Sequence, residues 1–300
     1  MNRPSNDLNL VFNGAALRER VINTLAQRCS LETLFRDTDR GNVRTSSVLL
    51  LLGENVPDRG GIPEACIILN KRSKNVTQPG DLCCPGGATE KSDRFLARFL
   101  SFRWSILSKW PCWRELKTGE PENAELLSLL YAAGLRESWE EMRLNPLGLT
   151  FLGPLPAQCL VLFRRVIHPL AAWVSYQKEF SLSWEVERIV WFPLRALLNP
   201  FNYAVFRMYV PPHLEWRFSG TTVDFPCFIY KSREKAELLW GATFRIVTIF
   251  LETIFGFRIP DIGKLPLVPA TVGDEYVQAG TSKQTGQNHH STLLRVIDPL

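Results

Sequence analysis

The sequence predicts an α/β fold in which a mixed sheet lies between helices. Short apolar runs of strand length alternate with longer stretches in which apolar residues recur at helical spacing. Strand-like runs both precede and follow the most regular helical stretch, residues 122–141. The chain has 300 residues, of which 45% are hydrophobic and 22% charged, so it can bury a substantial core. Together these observations predict an α/β/α sandwich.

The N-terminal part, residues 1–44, is predicted to be a helical segment. From Asn13 onward the apolar residues follow an amphipathic helical pattern. A second, short helix is predicted over residues 30–36, because Ser30 is a favourable N-cap residue and Glu32 lies in the first turn.

Two strands follow this segment. Residues 46–52 are a continuous apolar run, which indicates a strand that is buried on both faces. Residues 64–70 form the second strand, which ends in Lys71 and Arg72. Cations at a strand end are commonly solvated, but here we expect both to contact phosphate. Arg72 is the better candidate, because its planar guanidinium matches the geometry of a phosphate.

Residues 73–87 form a loop that ends in Pro-Gly-Gly. Gly86 and Gly87 permit close backbone approach and positive φ angles. The exposed N–H groups of such a turn can point at phosphate oxygens, so both glycines are candidate substrate contacts. Glu90 then closes the turn with an acid.

The helix over residues 122–141 carries three carboxylates near its end. Glu137, Glu140 and Glu141 stand at positions i, i+3 and i+4, so they share one helix face within one turn. Like charges this close repel, whereas a hard cation such as Mg²⁺ takes oxygen ligands and holds phosphates. Alone, the pattern is also that of a solvated acidic face. With the basic strand end and the glycine turn, it predicts a metal and phosphate site.

This order of strand, glycine turn and acidic helix resembles the Nudix hydrolase family. The box of that family reads G, five residues, E, seven residues, R-E-U-x-E-E-x-G-U, with U an aliphatic residue. Here Gly87 is followed after five residues by Asp93, an acid one carbon shorter than the usual Glu. The second half of the box is matched by Arg136, Glu137, Glu140 and Glu141.

The chain departs from the box at three places. Ser138 stands at an aliphatic position, and Arg143 stands where the late glycine is usual. Between Asp93 and Arg136 lie 42 residues instead of seven. Residues 129–135 can serve as the usual spacer of seven, which leaves residues 94–128 as an insertion inside the box.

The resemblance implies a Nudix-type α/β/α sandwich over residues 45–260, with a helical insertion at about 94–128. It implies Mg²⁺ or Mn²⁺ as cofactor and a nucleoside diphosphate derivative as substrate. The implied metal ligands are Glu137, Glu140 and Glu141, with Glu90 as a further candidate. Arg136 belongs to the implied catalytic set, and we expect it to orient a neighbouring acid by a charge-assisted hydrogen bond. The general base is left open.

A second motif is similar to the coenzyme A pyrophosphatase subgroup, which has LLTxRS and then FPGG. Residues 69–73 read LNKRS, and residues 80–87 read GDLCCPGG, with Cys84 in place of the usual Phe. This implies cleavage of coenzyme A or acyl-CoA to 3′,5′-ADP and a 4′-phosphopantetheine compound. The alternatives are another Nudix substrate, such as ADP-ribose or a dinucleotide, and a catalytically reduced module that binds a nucleotide or a partner.

The insertion, residues 94–128, combines basic residues with Phe, Leu and Trp at helical spacing up to Pro111. The first interpretation is a helical arm packed on the domain, and the second is a lid over the site. A dimer contact and an anionic membrane surface are further alternatives, because a basic helix rich in aromatic residues can lie on a membrane.

Beyond the box, strands are predicted over residues 149–155, 159–163, 166–174, 203–210 and 222–230. A closing helix is predicted over residues 234–255. Glu185 or Glu187 is interpreted as a further metal ligand or base, or as part of an exposed strand end. His168 lies inside a strand and is interpreted as structural. Residues 261–300 are polar, and a mostly disordered tail is expected there.

The bulk properties exclude some classes of function. A net charge of +5 is too small to predict nucleic-acid binding. No run of apolar residues is long enough for a transmembrane helix, and residues 1–10 do not read as a signal peptide. Seven cysteines without metal-ligand spacing favour reduced thiols, so we expect a cytoplasmic protein.

Overall fold

The computed structural model describes residues 9–27, 44–56, 61–102, 105–160, 165–210, 221–231, 236–271 and 295–296. The helices in these ranges are α1 (Gly14–Gln27), α2 (Asp93–Leu100), α3 (Trp113–Gly119), α4 (Pro121–Met142), α5 (Leu194–Leu197) and α6 (Gly241–Phe255). The first strands are β1 (Arg44–Asn55), β2 (Glu64–Arg72), β3 (Leu82–Cys83), β4 (Gly86–Ala88), β5 (Leu149–Pro154), β6 (Gln158–Leu160) and β7 (Arg165–Val174). The later strands are β8 (Val186–Pro193), β9 (Tyr203–Tyr209), β10 (Thr222–Lys231), β11 (Ala236–Leu239), β12 (Leu267–Thr271) and β13 (Arg295–Val296).

The central sheet has eight strands, and its main path runs β3-β2-β1-β7-β5. β4 pairs with β1, β6 with β7, and β8 with β2. β1 and β7 run parallel, whereas the other pairs are antiparallel. The predicted α/β class with a mixed sheet is therefore confirmed.

Alternate residues of β1 bury into different cores on the two faces of this sheet. Leu50 and Leu52 belong to a core that also contains residues of α1 and α6. Leu49 and Leu51 belong to a second core, built with α4 and the insertion. This alternation follows from the two-residue period of a strand, and it confirms that the apolar run over residues 46–52 is buried on both faces.

The long helix α4 agrees with the stretch predicted over residues 122–141. Pro121 lies in its first turn, where a missing N–H costs nothing. Halfway along, Gly134 lies so close to β1 that an added Cβ would be 2.7 Å from Cδ2 of Leu49. The close approach fixes the helix against the sheet and brings residues 136–141 to the glycine turn of β4.

The single helix predicted up to Pro111 is too long: among the described residues of this stretch, α2 is followed by a 3-10 turn over Leu107–Lys109, and a second short helix, α3, comes after Pro111. The first, α2, ends at Leu100, where Oγ of Ser101 bonds back to the carbonyl of Ala97 at 2.9 Å. Trp110, Trp113 and Leu116 are buried in the core beneath α4. The inner side of the insertion is thus packed on the domain.

A second sheet was not predicted. It has five strands in the order β11-β10-β9-β12-β13. The helix predicted from residue 234 is wrong at its start, because Ala236–Leu239 pairs as a strand with β10 and the helix begins only at Gly241. The expected tail also begins with ordered structure, since Leu267–Thr271 pairs in parallel with β9.

Some predicted elements lie outside the described residues. They are the short helix over residues 30–36, the end of the strand over 159–163, and the tail over 272–294 and 297–300. Within the described part of the chain, no helix is both long and apolar enough to cross a membrane.

Candidate metal and diphosphate site

An ion pair joins the two halves of the interrupted box. Nε of Arg136 donates to Oδ1 of Asp93 at 2.7 Å, although the two residues are 43 positions apart. Nη2 of Arg136 also donates to the carbonyl oxygen of Ala88 at 3.0 Å. Asp93 is 1% exposed, and its Oδ2 accepts from the N–H of Glu90 at 2.6 Å. The glycine turn, the start of α2 and the end of α4 are therefore bound together.

The same guanidinium organises the acids of α4. Nη1 of Arg136 lies 3.1 Å from Oε1 of Glu137 and 3.0 Å from Oε2 of Glu140. Oε1 of Glu90 lies 4.0 Å from the same nitrogen, while its side chain is 60% exposed. These contacts place Arg136 beside Glu90, Glu137 and Glu140, and its role in orienting an acid for catalysis stays a prediction.

The glycine turn fits tightly over the acidic helix. Gly86 has a φ of 149°, and a Cβ at this position would overlap the backbone oxygen of Ser47. A Cβ on Gly87 would overlap the carboxylate of Glu137. Burial raises the pKa of Glu137, and the charges of Glu140 and Glu90 add to this effect against the opposing charge of Arg136.

Glu141 is the most strongly perturbed acid of the site. Burial raises its pKa to about 8, and the negative charges of Glu137 and Glu185 add to the shift. Its Oε2 accepts from Nδ2 of Asn70 at 2.7 Å, which opposes the shift. A carboxyl group with such a pKa exchanges its proton close to neutral pH.

Asn70 is a site residue that sequence reasoning missed. It is 1% exposed at the end of β2, and its Oδ1 is buried with no hydrogen-bond partner in the described structure. A polar residue in an otherwise apolar strand was the available signal, because a buried amide requires partners.

The structure separates the two acids that the sequence left as alternatives. Glu185 lies close enough to Glu141 to raise its pKa, and its carbonyl accepts from the N–H of Ser73 at 2.8 Å. Oε1 of Glu187 lies instead 3.5 Å from Nε of Arg188. Of the two, Glu185 is therefore the one whose charge acts on Glu141, and a role of either acid as metal ligand or base stays a prediction.

The two cations at the end of β2 are held by the protein itself. Nζ of Lys71 lies 2.8 Å from Oε2 of Glu237, which also pairs with Arg188. Arg72 folds onto its own loop, where Nε donates to the carbonyl of Thr77 at 2.7 Å. Contact of Lys71 and Arg72 with phosphate stays a prediction.

Two departures from the box have local explanations. Ser138, at the aliphatic position, is fully buried, and its Oγ donates to the carbonyl of Gly134 at 2.6 Å. Arg143, at the late glycine, adopts a left-handed conformation with φ 52° and ends α4. Both residues thus keep the backbone path of the helix and its end.

His168 lies in β7 and is paired in register with Ser47 of β1. It is 3% exposed, and burial lowers its pKa to about 4. A neutral, buried histidine in the middle of the sheet agrees with the structural interpretation.

The chemistry of the acidic cluster fits a hard divalent cation, because all its donors are carboxylate or amide oxygens. The placement of the side chains does not yet form a ligand set: among the described residues, no three His, Cys, Asp or Glu side chains could together hold a metal ion. Glu137 and Glu140 are both held by Arg136 in this arrangement.

Comparisons with known proteins give low similarities. No family model and no curated protein match the chain. It is similar to a C. elegans Ap4A hydrolase structure, with 16% identity, 52% of this chain and 84% of that chain covered, and a TM-score of 0.32. It is also similar to a NUDIX hydrolase structure from Alicyclobacillus acidocaldarius, with 15% identity, 53% of this chain and 82% of that chain covered, and a TM-score of 0.34.

A third similar structure is the NUDIX domain of Shewanella oneidensis NrtR in complex with ADP ribose. It has 16% identity, coverages of 54% of this chain and 80% of that chain, and a TM-score of 0.32. Identities and TM-scores this low establish neither family nor activity, so both rest on the geometry of the site.

Proposed function

We propose that this chain hydrolyses the diphosphate linkage of a nucleoside diphosphate derivative, using a divalent cation held by Glu137, Glu140 and Glu141. The observation that carries this proposal is the ion pair between Asp93 and Arg136. The Nudix-like box requires its two halves to lie together, and 42 intervening residues do not prevent it. This contact supports the proposal, because a match by chance gives no reason for the two side chains to lie 2.7 Å apart.

Each residue of the site has a role in this proposal. Arg136 holds Glu137 and Glu140 beside the glycine turn, and Asn70 holds Glu141 in its half-buried position. Because its pKa is about 8, Glu141 can accept or release a proton near neutral pH. When bound, Mg²⁺ or Mn²⁺ would neutralise charge on the diphosphate and make an attacking water more acidic.

The proposed substrate is coenzyme A or an acyl-CoA, cleaved to 3′,5′-ADP and a 4′-phosphopantetheine compound. Support comes from the similarity of residues 69–73 and 80–87 to the coenzyme A pyrophosphatase motif. Lys71, Arg72 and the N–H groups around Gly86 and Gly87 are the proposed contacts for the diphosphate. ADP-ribose and dinucleotides are the alternative substrates.

A second candidate function is that of a catalytically reduced module that binds a nucleotide or a partner. One observation favours it: Glu137 and Glu140 are both engaged with Arg136, and the described acids do not form a metal-binding group. In this case the guanidinium, and not a cation, would neutralise the acids.

A substrate panel tests the main proposal. The panel contains coenzyme A, acetyl-CoA, ADP-ribose, NADH and a diadenosine polyphosphate, each with Mg²⁺ or Mn²⁺, and the products are separated by chromatography. We expect 3′,5′-ADP from the coenzyme A compounds alone. Release of AMP from ADP-ribose or from a dinucleotide would keep the enzyme class and change the substrate. No product from any compound would favour the binding module.

Thermal unfolding with Mg²⁺ separates the two functions without a substrate. A cation that binds only the folded state raises the unfolding temperature. We expect a rise for the wild type that Glu140→Gln removes. Glu122→Gln, in the first turn of the same helix and exposed to solvent, is the matched control and should keep the rise. A wild type without any rise would contradict the metal assignment.

We also infer a cytoplasmic location. The six cysteines among the described residues are all free of disulfide bonds, and burial raises the pKa of the thiols of Cys66, Cys83 and Cys84. Inert, reduced thiols suit a reducing compartment.

A further inference from the structure

The outer side of α2 and the residues after it carry three exposed phenylalanines, here called the aromatic patch: Phe95, Phe99 and Phe102. Their exposed fractions are 68%, 54% and 65%. The ring centroids of Phe95 and Phe99 are 4.9 Å apart in an edge-to-face arrangement, and those of Phe99 and Phe102 are 6.3 Å apart. The three rings therefore form one continuous apolar surface in solvent, which marks an interaction site more often than scattered apolar residues do.

This surface cannot be buried by rotation of the helix. Ala97 and Leu100, on the opposite side of α2, are buried in the core beneath α4. Asp93, at the start of α2, is bound to Arg136. Both ends of the inner face are thus fixed, and the aromatic patch has to face outward.

Positive charges lie in the same segment as the aromatic patch. Arg94 and Arg98 lie on α2 and are exposed, as is Lys91 just before it. Lys117 of α3 reaches toward the end of α2, where its Nζ donates to the carbonyl of Ser101 at 2.7 Å. The single acid in residues 91–102 is Asp93, which is 1% exposed and neutralised by Arg136. Within residues 91–102, the exposed charges are therefore all positive.

We propose that the aromatic patch and its cations dock on the surface of an anionic lipid bilayer. Aromatic rings in a helix of basic character insert into the interface between headgroups and acyl chains, and nearby Lys and Arg attract anionic lipids. A symmetric pairing of two copies through this patch is disfavoured, because it would place Arg94 and Arg98 of both copies together. The docked face lies on the helix that begins at Asp93, so it is directly attached to the proposed catalytic site.

Vesicle flotation tests this inference with the full chain and requires no substrate. The probes are vesicles of phosphatidylcholine alone and vesicles of phosphatidylcholine mixed with phosphatidylserine. We expect binding to the mixed vesicles that weakens as the salt concentration rises, because salt screens the cations. The combined variant Phe95→Ser, Phe99→Ser and Phe102→Ser should bind about tenfold more weakly or worse, since three interfacial rings are lost.

Two further variants complete the experiment. Arg94→Glu with Arg98→Glu should also reduce binding by about tenfold or more, because each nearby cation contributes to attraction by anionic lipid. Phe201→Ser is the matched control: Phe201 is 91% exposed in a turn outside the insertion, and its loss should leave binding unchanged. Thermal unfolding checks that each variant is folded. If the triple phenylalanine variant does not fold, vesicle binding by Phe99→Ser and by the double arginine variant tests the inference.

Three results would overturn the inference. They are no binding of the wild type to mixed vesicles, equal binding to both kinds of vesicle, and binding that the phenylalanine and arginine variants do not reduce. Sedimentation equilibrium of the wild type tests whether a second copy of the chain, instead of a bilayer, covers the aromatic patch. A dimer that the Phe99→Ser variant dissociates, without vesicle binding by the wild type, would assign the aromatic patch to a second copy of the chain.

Discussion

Glu237 and Glu141 are hydrogen-bonded to consecutive residues of β2, but their charges have opposite surroundings. Glu237 accepts from Lys71 at 2.8 Å and also pairs with Arg188, so its charge is compensated by two cations. Glu141 accepts from the neutral amide of Asn70 at 2.7 Å, and Glu137 and Glu185 add negative charge around it. Consecutive residues of a strand point to opposite faces, so Asn70 and Lys71 serve different sides of the sheet.

The two carboxylates differ in whether a cation compensates their charge. Glu237 is 3% exposed and joins β11 to β2 and β8 through its ion pairs. Among the described residues no cation pairs with Glu141, and burial raises its pKa to about 8 against the hydrogen bonds from Asn70 and the backbone of Gly86. A half-buried acid whose charge no cation compensates gains most from an external cation or a proton.

The largest effect is expected from removing the charge of Glu141. Glu141→Gln should lower turnover of the diphosphate substrate by about 100-fold or more, since it removes both a cation ligand and a titratable group. Steady-state kinetics with Mg²⁺ measures it, with Glu122→Gln as the control on the same helix. Turnover within about twofold of the wild type would remove Glu141 from the site.

Glu237 should instead affect stability. Glu237→Gln leaves Lys71 and Arg188 without their acid, and we expect a loss of about 2 kcal/mol in the free energy of unfolding. Urea denaturation measures it. Glu252→Gln is the control, because its pair with Arg258 is exposed and should contribute less than about 1 kcal/mol. Equal effects of the two substitutions would contradict the structural role of Glu237.

The raised pKa of Glu141 predicts a pH dependence of stability without added metal. Between the ordinary pKa of 4.5 and the folded value of about 8, the folded protein binds more protons than the unfolded chain. The free energy of unfolding should therefore fall as the pH rises through this window, by about 1–2 kcal/mol, because Glu141 keeps some exposure to solvent. Urea denaturation from pH 5 to pH 8 measures the fall.

Glu141→Gln is the control for this titration, because glutamine carries no proton that titrates there. Its unfolding free energy should show a smaller fall over the same pH range. A fall as large as that of the wild type would assign the pH dependence to another group.

The smallest effect concerns the end of α4. Arg143 has a φ of 52°, where a residue with a Cβ is strained, so Arg143→Gly should stabilise the fold by about 0.5–1 kcal/mol. The gain is reduced by losing the contact between the Arg143 guanidinium and the Trp139 ring, 5.4 Å from its centroid. Thermal unfolding measures the change. Arg143→Ala keeps a Cβ and should not stabilise; equal gains from both variants would disprove the strain.

Much of the fold could be predicted from local patterns. The strand over residues 46–52 and the helix over 122–141 were found because their apolar periods are strong and uninterrupted. The start of α6 was predicted wrongly, since Ala236–Leu239 takes its strand conformation from pairing with β10. Four residues are too few for the apolar pattern of a strand to be distinguished from that of the first turn of a helix.

The sequence by itself determined where the candidate site residues lie along the chain, with the exception of Asn70. A glycine turn, a basic strand end and three acids on one helix face are local patterns. Their order along the chain allowed the segments before and after the insertion to be matched to one motif. The tertiary structure decided their partners. Asn70 meets Glu141 across 71 positions and Lys71 meets Glu237 across 166, because sheet packing joins distant segments. No local pattern contains such a contact, so which acid is compensated and which stays uncompensated follows from the packing alone.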